Sequence, residues 1–540
     1  MKMNNMIKTG VLAVTLFLGG CGNFLDVDPD DILLEENSYS SLNEVYSNFL
    51  GISTKLGEAA EQALLISELR ADLMEPTTNA GESYWEIWRY QAGASNDVVN
   101  PVAFYNVILQ ANDFLRHVTE FNRESPEAIE ETYYKGMISS ALASYCWAYL
   151  NIGKIYGEAA FHDMALSSDI DLSQSEMLKF DELIDRLIGL MQNGVEGIDA
   201  FHALDWTKIL NNTDYSWNRM GINPDALISE LYMWDGNYVE AARHLTLTLA
   251  GLGVINNSGS DTRWLLGDLF EGSKWSSIWG EEFTGTAISK EAISAIPYDF
   301  DRNQTNHLQY WFSNLSPNVY YFKPSDLLIE KYDKGKRKNK EEGDHRKDAS
   351  VHEENGEMTI YRYTKGHQAY EHDAYIYIYR ASDLWLMLAE TLNQLGDIAA
   401  ADSVLNVGLN SSWDGSELLA PFDVPSFTQN SNVLRSCLGV RGRAGMVPNY
   451  LRDYVAPDAT LERKQWVLDS LIAEEVALES AFEGKRWFTL LRMAKNSGQS
   501  AKLANQICLK FPEGERERYR QLLMNPDNWF IKYNHLTVEE

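Results

Sequence analysis

Hydrophobic residues in the first half of the chain recur at intervals of three and four positions. This spacing places apolar side chains along one face of an α-helix and polar side chains along the other. Two segments near the C-terminus show the same pattern. The chain is therefore predicted to be mainly α-helical, with helices over 39–51, 56–69, 102–119, 131–149, 461–481 and 485–495.

Two further pairs of predicted helices are each joined by a short turn that contains glycine. The first pair spans 227–249 and turns at Gly236, and the second spans 384–405 and turns at Gly396. Small alanine residues near the start of each second helix are typical of a tetratricopeptide hairpin, in which the two helices touch at such positions. Because the pairs are far apart in sequence, they do not form a tandem solenoid. We predict one large helical domain with scattered tetratricopeptide-like hairpins.

The middle of the chain has a different composition and a weak helical period. Residues 256–323 are rich in glycine, serine, asparagine and aromatic residues, so we predict long loops, which in a compact domain are usually functional. Residues 359–364 and 374–380 alternate around tyrosines and predict a small β-hairpin. The highly charged stretch 331–347 is interpreted as a solvated surface turn.

The N-terminus has the features of an export signal. Lys2 and Lys8 precede an apolar run over 11–18 that is too short to span a bilayer, and small residues follow it. The sequence Leu-Gly-Gly-Cys that ends at Cys21 is similar to a bacterial lipobox, whose cysteine is lipidated. A secreted protein with a chance cysteine at this position is the alternative. We expect a signal peptide over 1–20, a lipidated acidic tether over 21–37 and the helical domain over 38–540.

Composition and charge narrow the classes of ligand. The 540 residues carry a formal net charge of −32, which repels nucleic acid and anionic headgroups, so a neutral or cationic ligand is expected. A hydrophobic fraction of 45% is ample for a large core. The four cysteines include no CxxC pair, so they predict neither a disulfide framework nor a zinc site, and we expect no cofactor.

Four sequence blocks, in order and at fitting intervals, resemble the SusD/RagB family of outer-membrane nutrient-binding lipoproteins. With the hairpin at 227–249 the likeness covers most of the chain. Glu475 and Thr489 depart from the family pattern, in which arginine and aspartate are usual at these places. The blocks are 21–29 (CGNFLDVDP), 379–393 (YRASDLWLMLAETLN) followed by Gly396 and Asp397, 440–446 (VRGRAGM), and 474–488 (EEVALESAFEGKRWF).

The resemblance implies a mostly helical lipoprotein on the cell surface, placed over a SusC-type TonB-dependent transporter. Such proteins capture oligosaccharides, or in some members peptides, for import. The charged residues within the blocks are expected to be structural, because the glutamates repeat at helical spacing and arginine suits bidentate bonds between helices and loops. They are Arg380, Arg441, Arg443, Glu475, Glu479 and Glu483.

Exposed aromatic side chains on loops are the signal expected of a site that binds sugars. A sugar ring offers an apolar face to aromatic platforms and a rim of hydroxyl groups to polar side chains. Any single tryptophan is as well explained by a place in the core, so the prediction depends on clusters. One cluster contains Arg70, Asp72, Glu75, Tyr84, Trp85, Trp88 and Arg89. The other contains Trp264, Trp275, Trp279, Tyr298, Trp311 and Tyr320.

Two other classes of protein stay open. A surface glycosidase needs two carboxylates at a defined separation, but 78 acidic residues make chance pairs common, and no nucleophile elbow, P-loop or HExxH motif is present. An assembly scaffold is the other class, because tetratricopeptide-like hairpins commonly hold partner proteins. His345, His367 and His372 are a conceivable metal site, although solvated loop histidines are the more ordinary explanation. A structural calcium ion at 26–31 lacks EF-hand spacing.

Overall fold

The computed structural model describes residues 39–164, 175–194, 221–254, 292–364, 368–409, 418 and 438–533. Seventeen α-helices dominate this part of the chain and its sheets are small, which confirms the predicted mainly-α fold. None of these helices is long and apolar enough to cross a membrane. The helices are α1 (Leu42–Arg70), α2 (Glu82–Trp88), α3 (Val102–Glu124), α4 (Glu131–Tyr156), α5 (Phe180–Asn193), α6 (Pro224–Asp235), α7 (Tyr238–Val254), α8 (Leu308–Phe312), α9 (Asp326–Asp333), α10 (Lys347–Ser350), α11 (Ala381–Gln394), α12 (Ile398–Asn406), α13 (Val440–Arg443), α14 (Leu461–Glu479), α15 (Arg486–Ser497), α16 (Ala501–Ile507) and α17 (Glu513–Met524). The strands are β1 (Met74–Pro76), β2 (Glu158–Phe161), β3 (Glu176–Lys179), β4 (Ala292–Ile296), β5 (Phe322–Pro324), β6 (Val351–Glu354), β7 (Glu357–Ile360) and β8 (Ile376–Arg380).

Helix α1 is a single element where the sequence predicts two. It begins with a capping box, in which the Ser41 side chain accepts from the Glu44 N–H and the Glu44 carboxylate accepts from the Ser41 N–H. Val45 and Ile52 are both buried, so the apolar face continues through Gly51 without a break. This long helix therefore connects the N-terminal end of the described chain to the start of β1.

Both predicted tetratricopeptide-like hairpins are confirmed. Helices α6 and α7 turn at Gly236, where φ is 81°, and helices α11 and α12 turn at Gly396, where φ is 86°. Glycine adopts this left-handed conformation without steric cost. Ala241 and Ala401, each in the second helix of a pair, are fully buried. Helix α7 also packs against α11, so the two hairpins share one core.

The strand pairing differs from the prediction. The segments 359–364 and 374–380 do not pair with each other, because β7 pairs with β6 and β8 pairs with β4. Strands β6 and β7 are joined by Asn355 and Gly356, whose φ angles are 52° and 82°. Asn-Gly is the dipeptide that favours such a two-residue hairpin turn. The Asn-Gly turn at 355–356 therefore indicates the position of the hairpin better than the alternating tyrosines do.

Only part of the region predicted as long loops, 256–323, lies within the described residues. Trp264, Trp275 and Trp279 lie outside them, as does Cys21. From residue 292 onward the region contains β4, α8 and the first residues of β5. The loop prediction is wrong for these elements, because the buried side chains of β4 pack against β8 and the core rather than standing in a loop.

A buried network of ion pairs joins the family-like blocks, as their residue types predict. Arg380 donates to the Glu483 carboxylate through Nε at 2.7 Å and through an NH2 group at 2.8 Å. Arg443 donates to Glu479 at 2.6 Å. All four side chains are buried. Buried charges tolerate the loss of water only when they are paired and hydrogen-bonded, and this network meets that condition for these carboxylates.

Most charged side chains of 331–347 are exposed, as interpreted from the sequence, but Arg346 and Asp344 are buried. The Arg346 side chain is fully buried, and its guanidinium donates to Asp344 at 2.8 and 2.9 Å and to Glu475 at 2.6 Å. Glu475 also accepts from Arg441 at 3.0 Å. Helix α14 supplies the complementary charge, Glu475, so Arg346 is paired inside the protein rather than solvated.

Candidate ligand-binding site

A short antiparallel pairing of β1 with β5 brings the first predicted aromatic cluster close to the described part of the second, namely Tyr298, Trp311 and Tyr320. Pro76 lies opposite Phe322 in its register. Just beyond β1, the Thr77 N–H donates to the Tyr321 carbonyl at 2.7 Å, and the Thr77 hydroxyl donates to the Tyr320 carbonyl at 2.6 Å. These bonds fix the segment that leads to α2 against the segment that precedes β5.

Three half-buried tyrosines and a half-buried histidine, namely Tyr84, Tyr310, Tyr321 and His372, form what we call the aromatic surface. The ring of Tyr321 lies 5.7 Å from that of Tyr84 and 6.2 Å from that of Tyr310. The ring of Tyr310 lies 6.0 Å from that of His372. Tyr84 is on α2 and Tyr310 is on α8, so the surface depends on both clusters being in place.

Two buried rings lie beneath the aromatic surface. Phe322 is fully buried and meets Tyr84 edge-on at 5.1 Å. Trp311 is 7% exposed and meets Phe322 edge-on at 5.9 Å. Trp311, a predicted ligand contact, therefore supports the outer rings rather than offering its own face to solvent.

Two histidines border α8 and differ in their surroundings. His307 Nδ1 lies 2.7 Å from Glu61 Oε1, and the His307 N–H donates to Glu61 Oε2 at 2.9 Å. The hydrogen bond to Glu61 raises the pKa of His307, whose side chain is 63% exposed and stacks on Trp311 at 5.3 Å. Burial lowers the pKa of His372, whose Nε2 lies 2.8 Å from Asn318 Oδ1. The first histidine ties α8 to α1.

Tyr298 and Tyr320, both predicted ligand contacts, use their hydroxyls within the protein. The half-buried Tyr298 donates to the Gly57 carbonyl at 3.0 Å. Tyr320 is 7% exposed and donates to the Met358 carbonyl at 2.7 Å, and burial raises its pKa to about 12. The next residue, Tyr321, faces the other rings instead, which the sequence alone did not distinguish.

Arg70 and Asp72 have structural roles in this fold. Asp72 is fully buried and accepts from Arg486 Nε at 2.9 Å and NH2 at 3.1 Å. Burial alone would raise the pKa of Asp72, but the Arg486 guanidinium outweighs it and holds the pKa below its usual range. The Arg70 guanidinium is buried over Tyr90 and Trp487, at 4.9 and 4.5 Å from their ring centroids. Neither side chain offers a surface to a ligand.

The two tryptophans of α2 divide between surface and core. Trp85 is half-buried, and the Arg89 guanidinium lies 4.9 Å from its ring centroid. Trp88 is 8% exposed and packs against Phe511 at 4.7 Å and beneath the Lys510 ammonium group at 4.9 Å. Of the pair, only Trp85 retains enough exposure to meet a ligand.

Sequence reasoning missed four aromatic residues of this region. Tyr310 and Tyr321 belong to the aromatic surface, and Phe300 and Tyr370 form an exposed pair nearby in the chain. Their residue type was no guide, because most of the aromatic residues near them are buried. For Phe300, Tyr310 and Tyr321 the available signal was proximity in sequence to the predicted contacts at 298, 311 and 320, whereas Tyr370 had no such neighbour.

A separate internal cavity of about 90 Å³ lies among α1, α4, α6, α11 and α15. Its charged lining includes Lys154, whose Nζ lies 3.1 Å from Glu230 Oε1, and Tyr379, whose hydroxyl donates to Glu230 at 2.5 Å. The lining groups are paired with one another. The cavity shares none of its lining with the aromatic surface.

Within the described ranges, no group of three or more histidine, cysteine, aspartate or glutamate side chains is placed to hold a metal ion. His367, one of the three histidines proposed from sequence, lies outside those ranges. The described Cys146 and Cys508 are both buried as free thiols. The residues of the candidate site that the structure does place are therefore suited to stacking and hydrogen bonding.

The structure is thus a mainly α-helical domain with tetratricopeptide-like hairpins, in which half-buried aromatic rings are grouped beside the β1–β5 pairing. The sequence model of the SusD family matches residues 191–531, and the chain belongs to that family. No curated protein sequence matches the chain.

Solved structures with the same fold cover nearly the whole chain at low sequence identity. A SusD superfamily protein from Bacteroides vulgatus is 13% identical, with a TM-score of 0.57, over 89% of this chain and 92% of its own. Surface glycan-binding protein A from Bacteroides thetaiotaomicron, in complex with laminarihexaose, is 14% identical, with a TM-score of 0.56, over 91% and 96%. NanU from B. fragilis is 16% identical, with a TM-score of 0.54, over 88% and 94%.

Proposed function

We propose that this protein captures oligosaccharides at the aromatic surface and does not cleave them. The observation that carries the proposal is the group of half-exposed rings, Tyr84, Tyr310 and Tyr321, whose neighbouring centroids are 5.7 and 6.2 Å apart. Aromatic rings accept the apolar C–H face of a sugar, and rings about 6 Å apart offer platforms to successive parts of an oligomer. Trp85 lies on the same short helix as Tyr84 and extends the set.

Polar side chains beside the rings suit the hydroxyl rim of a sugar. Asn79 and Asn318 have side-chain amides at the edge of the region, where each donates to a backbone carbonyl at 3.0 Å. The imidazole of His307 is largely exposed while its Nδ1 is held by Glu61. Fixed polar groups of this kind lose little side-chain entropy on binding. Trp264, Trp275 and Trp279 remain proposed contacts on the ground of sequence.

Membership of the SusD family and the N-terminal sequence support a location at the outer membrane and a transporter as the partner. We propose that the protein is exported, lipidated at Cys21 and held at the outer membrane by a tether over 21–37, facing the cell exterior. From there it delivers oligosaccharides to a SusC-like TonB-dependent transporter. The surface glycan-binding protein from B. thetaiotaomicron, which shares the fold, is in complex with laminarihexaose, and this favours a glycan over other nutrients.

The test is a binding screen of the purified protein against neutral polysaccharides, their oligomers and peptides, with product analysis in the same samples. We expect saturable binding of a glycan without cleavage, weakened at least tenfold by Tyr310→Ala and by Tyr321→Ala, as loss of a stacking ring requires. Tyr454→Ala is the matched control, because Tyr454 is 53% exposed and lies outside the aromatic surface. Binding of peptides alone, or cleavage that survives further purification, would contradict the proposal.

A further inference from the structure

An exposed pair of aromatic rings stands beside the aromatic surface. Phe300 is 40% exposed and Tyr370 is 55% exposed, and their ring centroids are 5.6 Å apart at an interplanar angle of 63°. Most large apolar side chains of the described residues are buried, so two such rings in contact with each other and with solvent form a distinct apolar patch.

Hydrogen bonds connect the segments that carry this patch to the segments that carry the aromatic surface. The Phe300 N–H donates to Asp373 Oδ2 at 3.2 Å, and the Asp373 N–H donates to Gln309 Oε1 at 3.2 Å. Gln309 is on α8, next to Tyr310. The carbonyl of His372, itself part of the aromatic surface, accepts from the Asn306 N–H at 2.7 Å. These bonds hold the segments that carry Phe300 and Tyr370 against α8, which carries Tyr310 of the aromatic surface.

Among the described residues next to this pair in sequence, most of the charged side chains are carboxylates. Asp301 follows Phe300 and is exposed, and Glu371 follows Tyr370 and is half-buried. Asp299 and Asp373 flank the same two short segments, and the one arginine in them, Arg302, lies 3.5 Å from Asp299. The two segments thus carry four carboxylates against one guanidinium, and burial lowers the pKa of the nearby His372, which keeps that imidazole uncharged at neutral pH.

We propose that the Phe300–Tyr370 pair binds the ammonium group of an amino sugar, so that the captured glycan is one that bears free amines. This inference rests on the proposed function, because it names the class of glycan taken by the same surface. An ammonium group over an aromatic face is attracted by the ring quadrupole. The surrounding carboxylates attract the same charge, and in this proposal the remaining sugar units of the glycan lie on the aromatic surface.

Charge complementarity selects this occupant over an uncharged or acidic sugar. A carboxylate and an ammonium group near a protein surface attract each other weakly, which corresponds to about a two- to fivefold gain in affinity for each pair. The effect is screened by salt, since exposed charges interact within a Debye length of about 8 Å at physiological ionic strength. The net charge of −32 adds a long-range attraction for the same cation.

The experiment compares two hexamers with the same β-1,4-linked backbone: glucosamine, whose amines are charged, and its fully N-acetylated counterpart, whose nitrogens are neutral amides. Affinity is measured calorimetrically with the full chain, at one fixed pH at which the amines are protonated, in low and in high salt. We expect the glucosamine hexamer to bind at least fivefold tighter in low salt and to lose most of that preference in high salt. Asp301→Asn and Glu371→Gln should each weaken binding of the glucosamine hexamer about two- to fivefold. The single variant Tyr370→Ala should weaken this binding by more than either of them.

Two controls keep the outcomes distinct. Asp458→Asn removes an exposed carboxylate from a surface loop before α14 and should leave the preference unchanged. Hexalysine tests a peptide cation at the same rings. Equal affinity for the two hexamers, or a preference that survives the Asp301→Asn/Glu371→Gln double variant, would overturn the inference and leave the proposed function standing if neutral glycans bind. Tighter binding of hexalysine than of glucosamine hexamer, abolished by Tyr370→Ala, would overturn the amino sugar as the occupant. Absence of binding by every glycan would remove both proposals.

Discussion

The carboxylate of Asp72 and the guanidinium of Arg486 form a bidentate ion pair, with Nε–Oδ1 at 2.9 Å and NH2–Oδ2 at 3.1 Å, and both side chains are buried. The pair joins the residues that follow α1 to the first turn of α15, far away in sequence. It also keeps β1, two residues beyond Asp72, in the position from which it pairs with β5.

We expect Asp72→Asn to lower the free energy of unfolding by about 3 kcal/mol, because the Arg486 charge would be left buried without its partner. Denaturant titration measures the change. Asp527→Asn, which removes an exposed carboxylate, should stay within about 0.5 kcal/mol of the parent protein. Unchanged stability together with lost glycan binding would return Asp72 to the set of ligand contacts.

Trp311→Ala should lower the free energy of unfolding by about 3–5 kcal/mol, because the ring is 7% exposed and its removal leaves a cavity beneath the aromatic surface. Tyr370→Ala, at a ring that is 55% exposed, should cost less than about 0.5 kcal/mol. Thermal and chemical unfolding of the two variants separates the supporting ring from the displayed one. Similar losses for both would mean that Tyr370 is covered in solution.

Stability should depend on pH through Glu68. Burial raises the pKa of this carboxyl to about 8, so the folded state holds a proton that the unfolded state releases near its ordinary pKa of about 4.5. Stability is then fully present below that ordinary value and falls as the pH rises toward 8. Glu68→Gln imitates the protonated acid and keeps an oxygen for the Gly484 N–H, which donates at 2.7 Å.

The variant should therefore be more stable than the parent at pH 8, by on the order of 3 kcal/mol, and nearly equal to it at pH 5. Chemical denaturation across this range measures the difference. A parent and variant with parallel pH profiles would show that Glu68 is ionised in the folded protein.

The pair of His307 and Glu61 gives a pH dependence of the same direction but a smaller size, because here the hydrogen bond favours the charged imidazolium. Its hydrogen bond raises the pKa of His307 above the ordinary 6.5, so its contribution is present below that value and is lost as the pH rises through the folded-state pKa. Because the imidazole is 63% exposed, solvent screening limits the contribution to about 0.5 kcal/mol.

Proton NMR of the histidine ring should show a pKa that falls in Glu61→Gln. The His352→Gln variant, at an exposed histidine of β6, serves to assign the resonances and should leave this titration unchanged. A His307 titration that is the same in parent and Glu61→Gln proteins would contradict the assigned hydrogen bond.

Gly484→Ala should be severely destabilising. Its φ is 73°, and an added Cβ would lie 2.9 Å from the Leu64 Cα on α1, so backbone would have to move. Gly498 has a similar φ of 64° but open space around it, and Gly498→Ala should cost only the left-handed strain of about 1–2 kcal/mol. The difference in unfolding free energy between the two variants, expected to exceed about 2 kcal/mol, measures the packing of α1 against the loop before α15.

The sequence was sufficient for features that depend on local periodicity and turn chemistry. The hairpins at Gly236 and Gly396 follow from helical spacing and from glycine in a left-handed turn. Pairing between strands that are far apart in sequence leaves no comparable local pattern, and the pairing of β4 with β8 was therefore not predicted. The charge of Arg346 gave no sign of burial, because its partner Glu475 is more than a hundred positions away.

The sequence named two clusters of candidate contacts but did not show which of their side chains are exposed. Tyr84 and Trp85 keep the exposure that a ligand contact needs, whereas Asp72 is an internal ion-pair partner. At 320 and 321 two adjacent tyrosines divide between the interior and the aromatic surface, and only tertiary structure decides which one turns inward. Residue type indicates the chemistry of a site, and burial decides which residues perform it.

The aromatic surface forms only when the three-residue strands β1 and β5 pair. Its two halves are contributed by stretches of chain about 250 residues apart, so neither stretch alone contains the proposed sugar-binding surface. The surface is completed only when this long-range pairing has formed, and a bound ligand would in turn stabilise the paired state by mass action. The affinity for a ligand therefore depends on the folding of the whole domain. Proteolytic cleavage between the two halves that lets them separate would abolish ligand binding, although every contacting side chain would remain chemically intact.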